Sequence, residues 1–173
     1  MNKNHSDNNE SLKSNSKLET RNLYLPNEVL IPEIIKFMEE GHTVTLLLRG
    51  FSMRPFLEDN RDKALLRKAT APKVGDAVLA EIEPKHYVLH RIDKIVGDKV
   101  TLRGDGNLGT EQCRLIDVKG TAIGFYRKGR SKPDRTDGKK WRIYSWLWTG
   151  LLPLRRYLLG AYRRVWIPIF GPI

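Results

Sequence analysis

Between residues 43 and 126 the chain consists of short apolar segments separated by glycine, aspartate and proline. Six of these segments are rich in β-branched residues or alternate apolar with polar residues, as β-strands do: residues 43–48, 63–67, 77–82, 87–95, 99–102 and 119–126. No helix-length segment separates them, and Gly97-Asp98 is typical of a hairpin turn. This spacing predicts a mainly β fold whose core is a coiled or barrel-like antiparallel sheet.

A polar tail and a short helix precede this β region. Residues 1–22 are rich in Asn, Ser, Lys and Glu and contain no apolar segment, which predicts a disordered tail. Residues 27–38 carry Ile31, Ile34, Ile35 and Met38 at helical spacing. We expect this short N-terminal helix to pack its apolar face on the β domain, although a lid or an element of a substrate groove would show the same pattern.

The C-terminal part of the chain has a different composition. Residues 129–140 are basic and contain glycine and proline, as linkers do. Residues 141–173 hold all four tryptophans and five arginines but no acid, and Pro153 divides them into short amphipathic helices. This composition favours contact with a membrane surface. The alternatives are packing on a partner or on the domain's own surface, and nucleic-acid binding, which is the weakest because the aromatic residues are mixed with Leu and Ile.

Charge and apolar content bear on where the protein works. The formal net charge is +11, and residues 127–173 hold 12 lysines and arginines against two acids. No stretch reaches the ~18 apolar residues of a membrane span, and no signal peptide is recognised. We therefore expect a cytoplasmic protein, or one bound peripherally to the inner membrane. Cys113 is the single cysteine, so the fold does not depend on an internal disulfide.

A serine follows the point where the first of these strands ends. The apolar run up to Leu48 is followed by Arg49-Gly50-Phe51-Ser52-Met53-Arg54-Pro55. Gly50 suits a tight turn, and Pro55 biases the residue before it away from helix. A hydroxyl presented at a strand end is well placed to act as a nucleophile. A turn serine taken alone, however, more often caps or hydrogen-bonds locally.

Three downstream segments turn this serine into part of a larger pattern. They are Gly75-Asp76 at a strand start, His90-Arg91 within a strand, and the turn Gly104-Asp105-Gly106-Asn107. With the Ser-Met-x-Pro box, they resemble, in the same order, the boxes of the type I signal peptidases and their S24/S26 relatives. The common bacterial enzymes use a lysine followed by arginine as the base, whereas His90-Arg91 is similar to the Ser-His branch of the endoplasmic reticulum and the archaea. The resemblance covers about residues 42–128, so we assign residues 23–128 to a peptidase domain.

This resemblance implies a serine endopeptidase that cuts a leader or precursor peptide. Ser52 would be the nucleophile, His90 the general base and Asp105 the group that orients the base. The backbone at Ser52 and Gly50 is the candidate oxyanion site, although Gly50 lacks the hydroxyl that many bacterial signal peptidases carry there. Authentic signal peptidases also have a membrane-spanning anchor, and none is recognised here, which argues against secretory signal peptides as substrates.

The resemblance further implies shallow apolar pockets for small residues before the scissile bond. Phe51, Met53 and Phe56 are candidates to line them, with a core position as the alternative for Phe56. Neither a metal nor another cofactor is expected, because the remaining histidines lack the spacing of a metal site. His42 and His86 match none of the boxes.

Two other functions share the same sequence features. A non-catalytic binding module could keep the fold and hold a partner with its C-terminal helices. A self-cleaving transcription regulator is the second, but the region before the β core lacks a two-helix DNA-reading unit, and the chain contains no Ala-Gly bond of the kind those repressors cut.

Overall fold

The computed structural model of the chain describes residues 26–173. Its centre is one antiparallel sheet, with one helix before it and a helical region after it, so the mainly β fold is confirmed. The strands are β1 (Val44–Leu47), β2 (Lys63–Lys68), β3 (Ala77–Glu83), β4 (His86–Val96), β5 (Lys99–Arg103), β6 (Glu111–Arg114), β7 (Val118–Tyr126) and β8 (Asp134–Arg135). The helices are α1 (Asn27–Glu39), α2 (Lys139–Gly150), α3 (Arg155–Ala161) and α4 (Ile167–Phe170).

The sheet runs in the order β1-β2-β7-β3-β4-β5-β6, and β8 pairs with β7. Its register shifts in four of the seven strand pairs, for example between Leu65 and Leu66 and between Ile92 and Lys94. Such bulges bend a strand and increase its twist, which agrees with the coiled sheet expected from the sequence. The hairpin at Gly97 is present, with Val96 opposite Lys99 and Gly97 at a φ of 57°.

Helix α1 packs on the sheet through the face identified in the sequence. Ile31, Ile34 and Met38 are buried in the same cluster as Ala64, Leu66 and Phe125. The contact with β7 is close, since a Cβ at Gly120 would lie 3.0 Å from Cε of Met38. Burying an Ile or Met side chain contributes roughly 1.5–3 kcal/mol, so this face holds the helix on the domain.

The C-terminal helices pack on the β core. Trp141 of α2 is buried, with its ring centroid 4.8 Å from that of Phe125 and 4.9 Å from that of Phe56. Tyr144, one turn later, stacks on Phe56 at 4.5 Å. A 3₁₀ turn at Leu152–Leu154 interrupts the helical region at Pro153, and a π-helical turn at Tyr162–Trp166 joins α3 to α4.

The basic segment 129–140 and the N-terminal tail are the other regions for which the sequence makes a prediction. The basic segment 129–140 contains β8, and Thr136 donates a hydrogen bond through Oγ1 to the carbonyl of Ala122. This segment is therefore partly tied to the sheet rather than being a free linker. The predicted disordered tail, residues 1–22, lies outside the described residues. No helix within residues 26–173 is both long and apolar enough to cross a membrane.

Candidate active site

Ser52 lies in an irregular loop that follows β1 and returns to the sheet at Asp62. The loop closes where Leu48 donates its N–H to the carbonyl of Asp62 and accepts a hydrogen bond from the N–H of Asn60, both at 2.9 Å. Met53 and Leu57 are buried and anchor the loop in the core. Ser52 itself is half-buried. The loop thus places Ser52 at the edge of the core.

The Gly-Asp-Gly-Asn turn lies directly against the Ser52 loop. The N–H of Gly106 donates to the carbonyl oxygen of Ser52 at 2.7 Å. A Cβ at Gly104 would lie 2.4 Å from that same oxygen, and a Cβ at Gly106 would lie 2.7 Å from the carbonyl oxygen of Phe51. Both distances are too short for a real side chain, so glycine is needed at both positions for the two segments to meet.

His90 is brought to this contact by β4, where it lies opposite Val78 of β3. Its side chain is 3% exposed, and a Cβ at Gly104 would lie 3.0 Å from its Nε2. The imidazole therefore reaches the junction between the Ser52 loop and the glycine turn. Ser52 and His90 also line the same small cavity, although within the described residues no hydrogen bond joins their side chains. Catalytic hydrogen bonds are often long before substrate binds.

The carboxylate beside His90 is that of Glu111, the first residue of β6. Oε2 of Glu111 lies 2.7 Å from Nδ1 of His90. Neither atom forms a well-aligned hydrogen bond with any described residue. Their short separation is therefore the evidence that the two groups interact. A carboxylate at Nδ1 favours the tautomer that leaves Nε2 free to accept a proton. No motif in the sequence points to this residue.

Asp105, the orienting group expected from the sequence, has different partners. Its carboxylate receives two hydrogen bonds from Arg91, from Nε at 3.0 Å and from Nη2 at 2.8 Å. Tyr144 donates a third from its hydroxyl at 3.1 Å. Successive strand residues point to opposite faces of a sheet, so a carboxylate paired with Arg91 faces away from the neighbouring His90. The carboxylate next to Nδ1 of His90 is therefore that of Glu111, while Asp105 is held by Arg91 and Tyr144.

The environment of His90 sets its protonation state. Burial lowers the pKa of His90 below its usual 6.5, while the negative charges of Glu111 and Asp105 raise it in part. The net lowering favours the neutral imidazole at neutral pH. A neutral histidine held at Nδ1 by a carboxylate is the form that can accept a proton from a serine hydroxyl.

The two candidate oxyanion donors differ in the structure. The N–H of Gly50 donates to Oδ1 of Asp59 at 2.7 Å, with Gly50 at a φ of +87°. That N–H is therefore engaged with Asp59, and Gly50 as an oxyanion donor stays a prediction. By contrast, the N–H of Ser52 donates to no acceptor among residues 26–173. An unengaged N–H beside the nucleophile is what an oxyanion site requires.

The cavity beside Ser52 and His90 measures about 130 Å³. Met53 and Leu57 line it together with Leu48 and Leu89, and the substrate-pocket role of Met53 stays a prediction. The other two pocket candidates do not line it. Phe51 is exposed, with the guanidinium of Arg54 3.9 Å from its ring centre, and Phe56 is buried in the aromatic core.

The other titratable groups singled out in the sequence lie elsewhere. His42 and His86 are exposed, each 3.9 Å from a neighbouring glutamate. Asp76 accepts a hydrogen bond from the N–H of Lys73 and so closes the turn before β3. Burial raises the pKa of the Cys113 thiol, which disfavours the reactive thiolate. Across residues 26–173 no group of three or more His, Cys, Asp or Glu side chains is placed to hold a metal ion.

The chain was compared with protein-family models and with curated proteins. No protein-family model matches the chain, and no curated protein matches it. The S24/S26 resemblance therefore stays a prediction that rests on the four sequence boxes.

Proposed function

We propose that the protein is a serine endopeptidase of the S24/S26 type, with Ser52 as nucleophile, His90 as general base and Glu111 as the group that orients the base. One observation carries the proposal. A buried histidine stands between the loop that bears Ser52 and a carboxylate 2.7 Å from its Nδ1. Acyl transfer by a serine requires a nucleophile, a base beside it and a group that orients the base, in that spatial order.

In the proposed reaction, Oγ of Ser52 attacks the carbonyl carbon of the scissile peptide while Nε2 of His90 takes the hydroxyl proton. Glu111 stabilises the imidazolium that forms, and the N–H of Ser52 donates to the oxyanion. The tetrahedral intermediate collapses when His90 returns the proton to the leaving amine, which breaks the C–N bond and leaves an ester on Ser52. Water, deprotonated by His90, hydrolyses the ester and restores the free serine.

The cavity of about 130 Å³ next to Ser52 supports a small side chain before the scissile bond. Leu48, Met53, Leu57 and Leu89 line it beside Arg49 and Glu58, and its small volume excludes a large side chain. A leader or precursor peptide with a small residue at the cut site is the substrate that fits this shape.

We also place the enzyme peripherally at a membrane surface, as a proposal that rests on the C-terminal helices. Their inner faces pack on the domain through Trp141, Trp148 and Leu159, whereas Trp146 is 75% exposed. Further exposed apolar residues follow on α2, α3 and the last helical turns: Ile143, Leu147, Leu154, Tyr157, Val165, Trp166, Ile169 and Phe170. Exposed apolar patches mark contact surfaces, and Trp with Tyr and Arg is typical of a membrane interface.

One observation favours the alternative of a non-catalytic binding module. The side chains of Ser52 and His90 share a cavity but, within the described part of the chain, are not joined by a hydrogen bond. Such a module would use the same cavity to hold a peptide without cutting it. The experiment that separates the two functions is therefore a cleavage assay.

We would incubate the full chain with a proteome-derived peptide library and identify new peptide ends by mass spectrometry. The proposal predicts a set of shared cut sites that is lost in Ser52→Ala and in His90→Ala. His42→Ala is the matched control, because His42 is exposed and lies outside the site, and it should retain all cuts. Equal cleavage by the wild type and Ser52→Ala would reject the proposed serine peptidase function.

A further inference from the structure

A groove runs along the side of the site where Glu111 lies. It measures about 970 Å³ and separates the turn after Gly106 from α3 and the π-helical turn. Glu111 and Leu108 lie on one wall, and Arg156, Tyr157 and Arg164 lie on the other. A volume of this size is at the upper end of the ~300–1,000 Å³ usual for ligand sites.

The helical wall of this groove is cationic and lacks acidic partners. Arg156 and Arg164 are exposed, and within residues 26–173 neither forms an ion pair with a carboxylate. Arg163, between them in the groove wall, donates through Nη2 to the carbonyl of Gly106 at 3.0 Å and so ties the two walls together. The sequence has no Asp or Glu after Asp137, so the C-terminal region supplies no acid to this wall.

The groove borders the candidate active site through two of its lining residues. Glu111 lines the groove and also contacts His90 through Oε2. Gly106, at the end of the groove, donates its N–H to the carbonyl of Ser52 at 2.7 Å. Because Glu111 and Gly106 contact site residues and also line the groove, a peptide cut at Ser52 would extend from the site into it.

We infer that this groove binds an acidic segment of the substrate, close to the scissile bond, and that Arg156 and Arg164 select for Asp or Glu there. The inference rests on the proposed peptidase function, because it assigns the substrate class of the same site. An acidic peptide would supply the carboxylates that the two guanidinium groups lack, and arginine pairs well with carboxylates.

An anionic lipid surface is the other partner that arginines of this kind could meet. The shape favours the peptide, since Arg156 and Arg164 line a groove rather than a convex surface. Tyr157 and Val165 line this groove, but Trp146, Ile169 and Phe170, which are also strongly exposed, do not. A membrane would be met by those side chains rather than by the interior of the groove.

The test measures binding apart from cleavage. Full-length Ser52→Ala protein is titrated against two fluorescein-labelled 12-residue peptides, one alternating Glu with Ala and the other alternating Gln with Ala, at low ionic strength. The reading is fluorescence anisotropy. The groove variant adds Arg156→Gln and Arg164→Gln, and the control variant adds Lys139→Gln and Arg142→Gln. Both variants lose two exposed positive charges, and the control pair lies outside the groove.

We expect the Glu peptide to bind more tightly than the Gln peptide and to lose about fivefold in affinity in the groove variant, since each exposed charge pair contributes little. The control variant should bind like the parent. Equal losses in the two variants would mean that net charge alone attracts the peptide, and would overturn the inference. It would also be overturned if the groove variant kept the peptide but lost binding to vesicles that contain phosphatidylglycerol.

The same variants, with Ser52 restored, are then compared on the peptide library. The inference predicts that acidic residues near the cut are enriched for the wild type and the control variant, and that this enrichment is lost in the groove variant. A library that no variant cleaves would reject the proposed function but leave the binding result standing. Cleavage by the wild type without enrichment of acidic residues near the cut would reject the inference about the groove but not the proposed peptidase function.

Discussion

Arg91 and Asp105 form a buried two-point ion pair that joins the β core to the first C-terminal helix. The side chains are 5% and 1% exposed, and Nη2 of Arg91 lies 2.8 Å from Oδ2 of Asp105. Helix α2 completes the arrangement, because Tyr144 donates to the carboxylate and Trp148 donates to the backbone carbonyl of Asp105. Arg91 follows His90 on β4, so the pair also fixes the strand that carries the base.

Replacing Asp105 by Asn should destabilise the fold. The substitution leaves the guanidinium of Arg91 buried without a counter-charge, and breaking a buried pair in this way costs about 3–5 kcal/mol. We expect that loss in the free energy of unfolding measured by urea denaturation. The double variant Arg91→Met/Asp105→Leu removes both charges and should recover part of the loss. A single variant as stable as the wild type would show that the pair does not hold the helix.

Replacing Glu111 by Gln should reduce catalysis with little change in stability, because Glu111 is partly exposed. Gln can present its amide N–H₂ to Nδ1 and so favour the wrong tautomer of His90, an effect that costs up to about 10⁴ in kcat in a serine triad. We expect a fall in kcat of about 10²–10⁴ with KM nearly unchanged, measured on a peptide taken from the library. Glu83→Gln is the control, since Glu83 is exposed and faces His86. An unchanged kcat in Glu111→Gln would show that Glu111 does not orient His90.

The pH profile of kcat/KM should report the lowered pKa of His90. Catalysis needs the neutral imidazole, so the acidic limb should lie below pH 6.5. Glu111→Gln removes a charge that raises this pKa and should move the limb to still lower pH. The lowered pKa of His90 should also make the free energy of unfolding depend on pH. His90 binds a proton more readily in the unfolded chain, so stability is lost as the pH falls from about 6.5 towards the pKa of His90 in the folded protein. A limb above pH 6.5 would contradict the burial of His90.

Adding one methyl group at Gly104 should inactivate the site. The new Cβ would lie 2.4 Å from the carbonyl oxygen of Ser52 and 3.0 Å from Nε2 of His90, so loop and base must move apart. We expect Gly104→Ala to lose at least about 10²-fold in kcat/KM, because a displacement of ~1 Å is enough for such a loss. Gly150→Ala is the matched control, since its Cβ would meet nothing within 4 Å. Full activity of Gly104→Ala would show that this contact is not needed.

Two tryptophans of α2 should separate folding from membrane contact. Trp141 is buried between Phe56 and Phe125, so Trp141→Ala should cost about 3–5 kcal/mol in the free energy of unfolding. Trp146 is 75% exposed, so Trp146→Ala should leave stability nearly unchanged and weaken sedimentation with phosphatidylglycerol vesicles. If Trp146→Ala bound vesicles as the wild type does, the membrane proposal would lose its main support.

The sheet could be predicted largely from the sequence, because most of its strands carry an apolar face that must be buried. The six strands with alternating or β-branched residues were found, with ends displaced by one residue. β6 was missed because Cys113 is the only apolar residue among its four, and its pairing with β5 defines it. β8 was missed because its two residues, Asp134 and Arg135, carry no apolar signal at all.

The site was only partly predictable for a related reason. Ser52 and His90 belong to short boxes that can be read locally, whereas the partner of Nδ1 depends on how the chain folds back after the Gly-Asp-Gly-Asn turn. Glu111 stands in a polar stretch and becomes visible only when β6 pairs with β5 and lies near β4. The resemblance implies Asp105 as the orienting group, whereas in the structure Arg91, the residue after His90 on β4, holds its carboxylate.

The central claim is that Ser52 cleaves peptides in the cell. The most direct measurement is whole-cell peptidomics of the native host, comparing the wild type with Ser52→Ala at equal protein level. The account predicts that a defined set of peptides with a shared cut site, a small residue before it and acidic residues near it, disappears in the variant. Matching peptidomes from cells in which both proteins are folded and abundant would contradict it.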